Sequence, residues 1–187
     1  MQLPESFLVI ALLIVLSAFF SLAELSLAAS RRLRLTQMAD EGDVRAAKVL
    51  KLQEQPGDYF TVVQIGLNAI AILGGIIGEG ALSPTLSELY SHWLPAARAQ
   101  TFGFLSSFII VTSLFIMFAD LIPKRLGMAQ PEIWATRLLK PMLWSMSLFK
   151  PIIWFYSRAT DQLIKLLGLP AKRDDRITPD DILALTE

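Results

Sequence analysis

The sequence predicts an all-α integral membrane fold, with three transmembrane helices and a set of amphipathic juxtamembrane belt helices. Three observations predict it. Apolar stretches at 6–29, 59–81 and 101–122 each reach the ~20 residues that a spanning helix needs. Charged residues make up 18% of the 187 positions and hydrophobic ones 53%, a balance poorer in charge than ordinary soluble domains. Lysine and arginine crowd into one of the two connections between these stretches and almost vanish from the other.

The first apolar run reads as a retained helix, not a cleaved leader. Glu5 is the only charge ahead of it, so there is no basic n-region, and the run is longer than an h-region of about 7–15 residues. Helices are required because an isolated strand would leave backbone groups unpaired in hydrocarbon. The connection at 30–58 carries Arg31, Arg32, Arg34, Arg45, Lys48 and Lys51, whereas the next carries only Arg98. Positive charge marks the cytoplasmic side. The N-terminus is therefore expected outside and the C-terminus inside, with Lys124 and Arg125 closing the third helix at the inner face. Within the first connection Leu33, Leu35, Met38, Val44, Ala47, Val49 and Leu50 interleave with charges, which predicts a surface helix broken near Gly42.

The apolar region at 132–169 is different. Lys140-Pro141 and Lys150-Pro151 predict breaks, and Arg137, Arg158 and Lys165 add positive charge along it. Belt helices at the inner interface fit this pattern, with Trp134, Trp144, Trp154 and Tyr156 at headgroup level. A fourth span is the alternative. Residues 1–170 thus form one membrane domain. Thr178-Pro179-Asp180-Asp181 places an N-cap, a first-turn proline and acids in the order that opens a helix. Residues 171–187 are read as the start of a linker helix, with the natural protein expected to continue into a cytoplasmic domain.

Composition excludes several chemistries. There is no cysteine, hence no disulfide, thiol catalysis or thiolate metal site. His92 is the single histidine, which excludes a multi-histidine metal cluster and reads as a solvated loop residue. Net charge is zero, so nothing draws the chain to nucleic acid. No nucleophile–base pair or phosphate loop appears, and an enzyme is not predicted. No cofactor is expected beyond a bound Mg²⁺ or Na⁺.

The functional signal lies in where polar residues fall on the spans. Ser17, Ser21, Glu24 and Ala28 share one face of the first helix, and Gln64, Asn68, Ala71, Gly75 and Gly78 share one of the second. Ser106, Ser113 and Asp120 recur every seven residues on the third. At 1.5 Å rise per residue, Glu24 lies about 10 Å above Arg31, Asn68 about 15 Å above Asp58, and Asp120 about 6 Å above Lys124. All three fall in the inner half of the bilayer. An acid within a span costs about 2.5–3.5 kcal/mol and is a candidate functional group by default. The plain alternatives are that the serines, amides and glycines serve helix packing, and that Arg31, Arg32 or Lys124 neutralises the acids at the interface. Pro123 removes a backbone bond near Ala119, so carbonyls there become candidate ligands; the alternative is a simple helix stop. The predicted substrate- or ion-binding set is Ser17, Ser21, Glu24, Gln64, Asn68, Ser113 and Asp120, with Ala119 and Pro123 shaping the kink. Gly66, Gly74, Gly75 and Gly78 predict close backbone approach and a homodimer within the membrane.

Three runs carry a family resemblance: Phe19-Phe20-Ser21-Leu22-Ala23-Glu24, Gln64-Ile65-Gly66-Leu67-Asn68 and Asp120-Leu121-Ile122-Pro123-Lys124. Together, in this order, they resemble the CorC/CNNM transmembrane domain across nearly the whole chain. The resemblance implies three spans with belt helices, a homodimer, a CBS-pair module beyond this chain, and magnesium efflux coupled to sodium. It also implies an ion site matching Ser21, Asn68 and Asp120. Two departures matter. The family usually has a second small hydroxyl or Gly near Leu22-Ala23, and Gly-Glu where this chain has Ala119-Asp120. The run Phe118-Ala119-Asp120-Leu121-Ile122-Pro123-Lys124-Arg125 looks instead like the polyamine-exporter branch, whose members export putrescine and cadaverine. Glu24 and Asp120 as separated anchors, with Phe19, Phe20 and Phe118 nearby in sequence, would suit a diammonium. The expectation is therefore an exporter of a small cation in the inner membrane, an organic diamine ahead of Mg²⁺. A non-transporting membrane sensor or scaffold is the reading from another class.

Overall fold

The computed structural model describes residues 3–167. The expected linker helix at 171–187 lies outside the described residues. Among those described, every regular element is helical: α1 (Leu3–Ala29), α2 (Arg32–Asp40), α3 (Val44–Glu54), α4 (Gly57–Ser91), α5 (Ala96–Leu114), a π-helical stretch (Phe115–Leu121), α6 (Ile122–Ala129) and α7 (Pro131–Leu166). Three helical segments are long and apolar enough to cross a membrane: Pro4–Ala29, Gly57–Ser91 and Ala96–Ala129. The second and third outrun the predicted 59–81 and 101–122. At 1.5 Å per residue the 35 residues of α4 outreach a hydrocarbon core of about 30 Å. The third helix runs on through Pro123, so that proline is no stop. It occupies the first turn of α6, where its missing N–H costs least.

The break near Gly42 is observed. Gly42 takes φ +100°, a left-handed conformation that suits glycine, and the chain reverses from α2 into α3. Asp43 then caps α3 by accepting from the Arg45 N–H at 2.9 Å. Its carboxylate also pairs with the Arg45 side chain at 3.1 Å, which holds Asp43 below the usual carboxylate range. This cap is complete above that range and is lost as falling pH protonates Asp43.

Side chains close off the C-terminal end of α1. Gln53 donates to the carbonyls of Leu27 and Ser30 at 3.1 and 2.9 Å, and the Tyr59 hydroxyl donates to Ala23 at 2.9 Å. The Arg31 N–H reaches Glu132 at 3.0 Å. A helix leaves its last carbonyls without intrahelical partners; here Gln53 of α3 takes up the Leu27 carbonyl, while Tyr59 of α4 adds a second bond one turn earlier.

The second helix packs on one face of small and branched residues. Val62, Val63, Gly66, Ile70, Gly74, Gly78 and Ala81 are buried. A Cβ on Gly66 would fall 2.6 Å from the Phe20 ring, and one on Gly78 would fall 2.6 Å from Val111. Gly74 is filled by Phe115. Three of the four glycines that predict a dimer face are thus used inside the protomer, and Gly78 leaves the stripe assigned to it. Gly75 alone of that set faces open space.

α7 corrects a second expectation. It is one helix across Pro141 and Pro151, not a string of short pieces. Each proline strands one carbonyl a turn earlier, at Arg137 and Ser147, and both positions are exposed. Water can satisfy those carbonyls, so the helix continues. Its residues up to Leu148 belong to the compact unit that holds α1–α6, and Phe149 opens a second unit. Trp134 and Trp154 each carry an arginine over the ring, Arg137 at 5.7 Å and Arg158 at 5.4 Å.

Helix α5 comes close to the backbone of α4 at Gly103. A Cβ there would stand 2.7 Å from the Ser87 amide nitrogen and 2.9 Å from the Ser83 carbonyl oxygen. Backbone cannot yield as a side chain does. Gly103→Ala is expected to destabilise the protein in detergent by about 1–3 kcal/mol, while Gly80→Ala, at an exposed position of α4 with nothing within 4 Å, leaves the melting temperature unchanged or raises it. Equal melting of the two variants would contradict this packing.

Candidate functional site

The site begins with two serines on α1. Ser17 and Ser21 are 5% and 0% exposed, in a helix made mostly of aliphatic and aromatic residues. A buried hydroxyl needs a partner, and Ser21 finds one across the bundle by donating to Asp120 Oδ1 at 3.2 Å. The same carboxylate oxygen lies 2.7 Å from Lys124 Nζ, one helical turn further on. That ammonium stands 3.9 Å from Glu24 Oε2, and Glu24 Oε1 accepts from Gln64 Nε2 at 3.1 Å. A continuous polar relay, Ser21–Asp120–Lys124–Glu24–Gln64, therefore ties α1, α4 and the third membrane helix together.

The π-helical stretch puts Asp120 in this relay. The Ile122 N–H reaches back to the Met117 carbonyl, five residues earlier, as a π turn requires. Such a turn takes an extra residue, which rotates the residues beyond it by about 100° relative to an uninterrupted α-helix. Pro123, just beyond, has no N–H to close an α-type bond. The ladder widens in the turns before it.

Beside the relay lies a cavity of about 270 Å³ lined by Ser17, Ser21, Leu67, Asn68, Ala71, Phe115, Ile116, Ala119 and Asp120. Its polar groups are two hydroxyls, one amide and one carboxylate. Its other walls are aliphatic and aromatic.

The predicted residues divide accordingly. Ser17, Ser21, Asn68, Asp120 and Ala119 meet in one cavity. Glu24 and Gln64 are not among its lining residues and join it through Lys124. Pro123 is buried in α6. Ser113 is exposed and is not among the residues that line the cavity, for a definite cause. The seven-residue spacing from Ser113 to Asp120 assumes a regular α-helix, and the π stretch lies between them. Ser106 instead bonds the Tyr90 hydroxyl at 3.0 Å. The aromatic wall is also reassigned. Phe20 is buried against Gly66, Phe118 is 46% exposed, and Phe115 is the aromatic residue that lines the cavity. Phe115 precedes Asp120 by five residues, a spacing that signals shared facing only in a π turn. Lys124 is legible through its i,i+4 relation to Asp120. Of the three cations offered as neutralising the site acids, Lys124 reaches both, while Arg31 and Arg32 pair with Glu132 at 3.6 Å and Glu54 at 2.6 Å.

With this geometry in place, comparison with known proteins is specific. Residues 8–187 match the model of the Cyclin M transmembrane N-terminal domain. Among curated proteins, a polyamine export protein of Escherichia coli K12 is 49% identical over 98% of this chain and 41% of its own length. A polyamine export protein of Haemophilus influenzae is 44% identical over 100% of this chain and 43% of its own. An uncharacterized protein of Mycobacterium tuberculosis is 32% identical over 92% of this chain and 49% of its own. The chain thus spans less than half the length of these relatives.

The chain's lack of cysteine permits a clean accessibility test. Asn68→Cys is expected to react with a hydrophilic maleimide in detergent micelles. Ser107→Cys, at a position 0% exposed and facing the Gly78 carbonyl at 3.4 Å, is expected to stay unlabelled until the protein is denatured. Protection of the thiol of Asn68→Cys in the folded protein would close the cavity to water and remove it as a cation site.

Proposed function

The chain belongs to the family of Cyclin M transmembrane N-terminal domains, and from that premise we propose that it is the membrane part of an exporter that carries a small organic diamine out of the cytoplasm. One observation carries this reading: a carboxylate and a hydrophobic wall share the same small cavity. Asp120, with Ser17, Ser21 and Asn68, offers oxygens to an ammonium. Leu67, Ile116 and Phe115 offer an apolar surface to a methylene chain, and the Phe115 ring suits a nearby cation. Glu24, just beyond Lys124, is available to a second ammonium. The two relatives named polyamine export protein support the same cargo.

Divalent metal efflux, coupled to Na⁺, is the second reading. It is favoured by the meeting of Ser21, Asn68 and Asp120 in one cavity and by the family. Mg²⁺ demands near-octahedral oxygen geometry at about 2.0–2.1 Å and keeps several waters where protein donors are few. A cavity with one carboxylate and several aliphatic walls would leave most of that shell to water.

The lysines and arginines of α2 and α3 support a cytoplasmic first connection, an external N-terminus and residence in the cell membrane. The exposed Ala71 and Gly75 on α4 support a homodimer packed on that face. The exposed tryptophans of α7 support its lying at the inner interface.

Replacing Asp120 with Asn keeps shape and removes charge. A hydrogen bond to a charged group contributes about 1.5–3 kcal/mol, so Asp120→Asn is expected to weaken putrescine binding by about ten- to hundredfold while the fold survives. Calorimetry on purified wild type and variant, titrated with putrescine and with Mg²⁺, checks it. Tight Mg²⁺ binding by the wild type with no response to putrescine would replace the diamine with the metal. Binding of neither would leave a membrane scaffold.

A further inference from the structure

The polar relay contains its own cation. Lys124 Nζ sits 2.7 Å from Asp120 Oδ1 and 3.9 Å from Glu24 Oε2, where an incoming ammonium or metal ion would find both acids. We propose that Lys124 is a tethered competitor, whose ammonium holds the cargo's position in the empty protein and so sets the charge that a cargo must carry. The inference rests on the reading of this site as a cation-transport site, and it holds for either cargo.

Charge decides the consequence. Glu24, Asp120 and Lys124 together leave the empty site with one net negative charge. A monovalent ion that displaces Lys124 exchanges one positive charge for another, and must also beat a group held permanently alongside. A tethered group competes at an effective concentration in the millimolar range or above. A dication that displaces Lys124 neutralises both acids, which Lys124 alone cannot do. The site therefore discriminates against Na⁺ and K⁺ without needing a size filter, and accepts a diammonium or a divalent metal.

The neighbouring groups fit this role. Lys124 is partly exposed, with 35% of its side chain accessible, so it has somewhere to go when displaced. Arg31 and Arg32 are engaged by Glu132 and Glu54 and do not reach the site acids. Gln64 holds the far oxygen of Glu24 at 3.1 Å, and Ser21 holds Asp120 at 3.2 Å, so both carboxylates stay in place when the ammonium leaves. A lysine suits a movable counter-charge better than an arginine, since its ammonium is a compact charge on a flexible stem.

The test compares wild type, Lys124→Gln and Lys124→Arg as the whole 187-residue chain in lipid nanodiscs, with folding of each confirmed by thermal melting. Putrescine and Mg²⁺ are titrated in low salt and again in about 150 mM NaCl, roughly physiological ionic strength. Removing the competitor is expected to tighten binding of the cargo by about tenfold or more and to make that binding newly sensitive to Na⁺. Lys124→Arg, which keeps the charge, is expected to stay near wild type. Tightening for Mg²⁺ alone would support the competitor and reject the diamine as cargo. Unchanged or weaker binding in Lys124→Gln would overturn the proposal, since a structural or cargo-binding lysine gives that result. So would binding of neither cation by the wild type and Lys124→Gln alike, because deleting a competitor must expose the site. If Lys124→Gln does not fold, equal Na⁺ competition against putrescine in wild type and Lys124→Arg, already strong at millimolar Na⁺, would overturn it.

Discussion

The position of Asp120 depends on one irregularity in the third membrane helix. With α-helical spacing throughout, a residue seven after Ser113 would share its face, and Ser113 is exposed. The π stretch at Phe115–Leu121 turns Asp120 off that face and against Ser21 of α1. It also brings Phe115 and Ala119 to the same cavity. A π turn is less well bonded than an α turn and persists where surrounding packing holds it. Phe115 supplies part of that packing by filling the space over Gly74, and Pro123 prevents the α ladder from closing normally behind it. Packing, π turn and polar site are one arrangement.

The membrane fold is legible in the sequence because its cause is in composition and length. Hydrocarbon forces backbone pairing inside each span, so about twenty apolar residues in a row leave few structural choices, and the three spans result. Gly42 is legible for a similar reason, as a glycine between two amphipathic runs. Helix ends are less so. α4 continues ten residues past the predicted end at 81, to Ser91, because its last turns pack on α5 through Gly103, a tertiary contact that hydropathy does not encode. Pro141 and Pro151 mislead because a proline's cost depends on whether water can reach the carbonyl it strands, which burial decides and sequence does not display.

The site is half legible. On α1 and α4 the 3.6-residue period holds, and Ser17, Ser21 and Asn68 meet as their spacing suggests. On the third helix the period fails at the π stretch, so spacing misplaces Ser113 and misses Phe115. Glycines are ambiguous in another way. Sequence shows that Gly66, Gly74, Gly75 and Gly78 allow close approach, but not what approaches. Three receive side chains of the same protomer.

The remaining face of α4 poses an energetic question that bears on assembly. Gln64, Asn68, Ala71 and Gly75 are all exposed, in a part of α4 whose other residues between 62 and 78 are apolar. An amide facing lipid tails would leave donors and acceptors unsatisfied, at a cost of several kcal/mol. Gln64 meets part of this by donating to Glu24. Asn68 sits at the cavity edge, where water or cargo can serve it. Ala71 and Gly75 have no polar side chain to satisfy, yet they offer a smooth strip on which another backbone can pack closely. The exposed face of α4 thus changes character along the helix: the amides come first, with Asn68 and Ala71 lining the cavity, and Gly75 follows in open space, where a second copy of the chain would cover it under the proposed dimer. Under the proposed dimer, the two cavities would open beside a shared small-residue contact, and displacement of Lys124 in one protomer would occur next to the helix that both copies use.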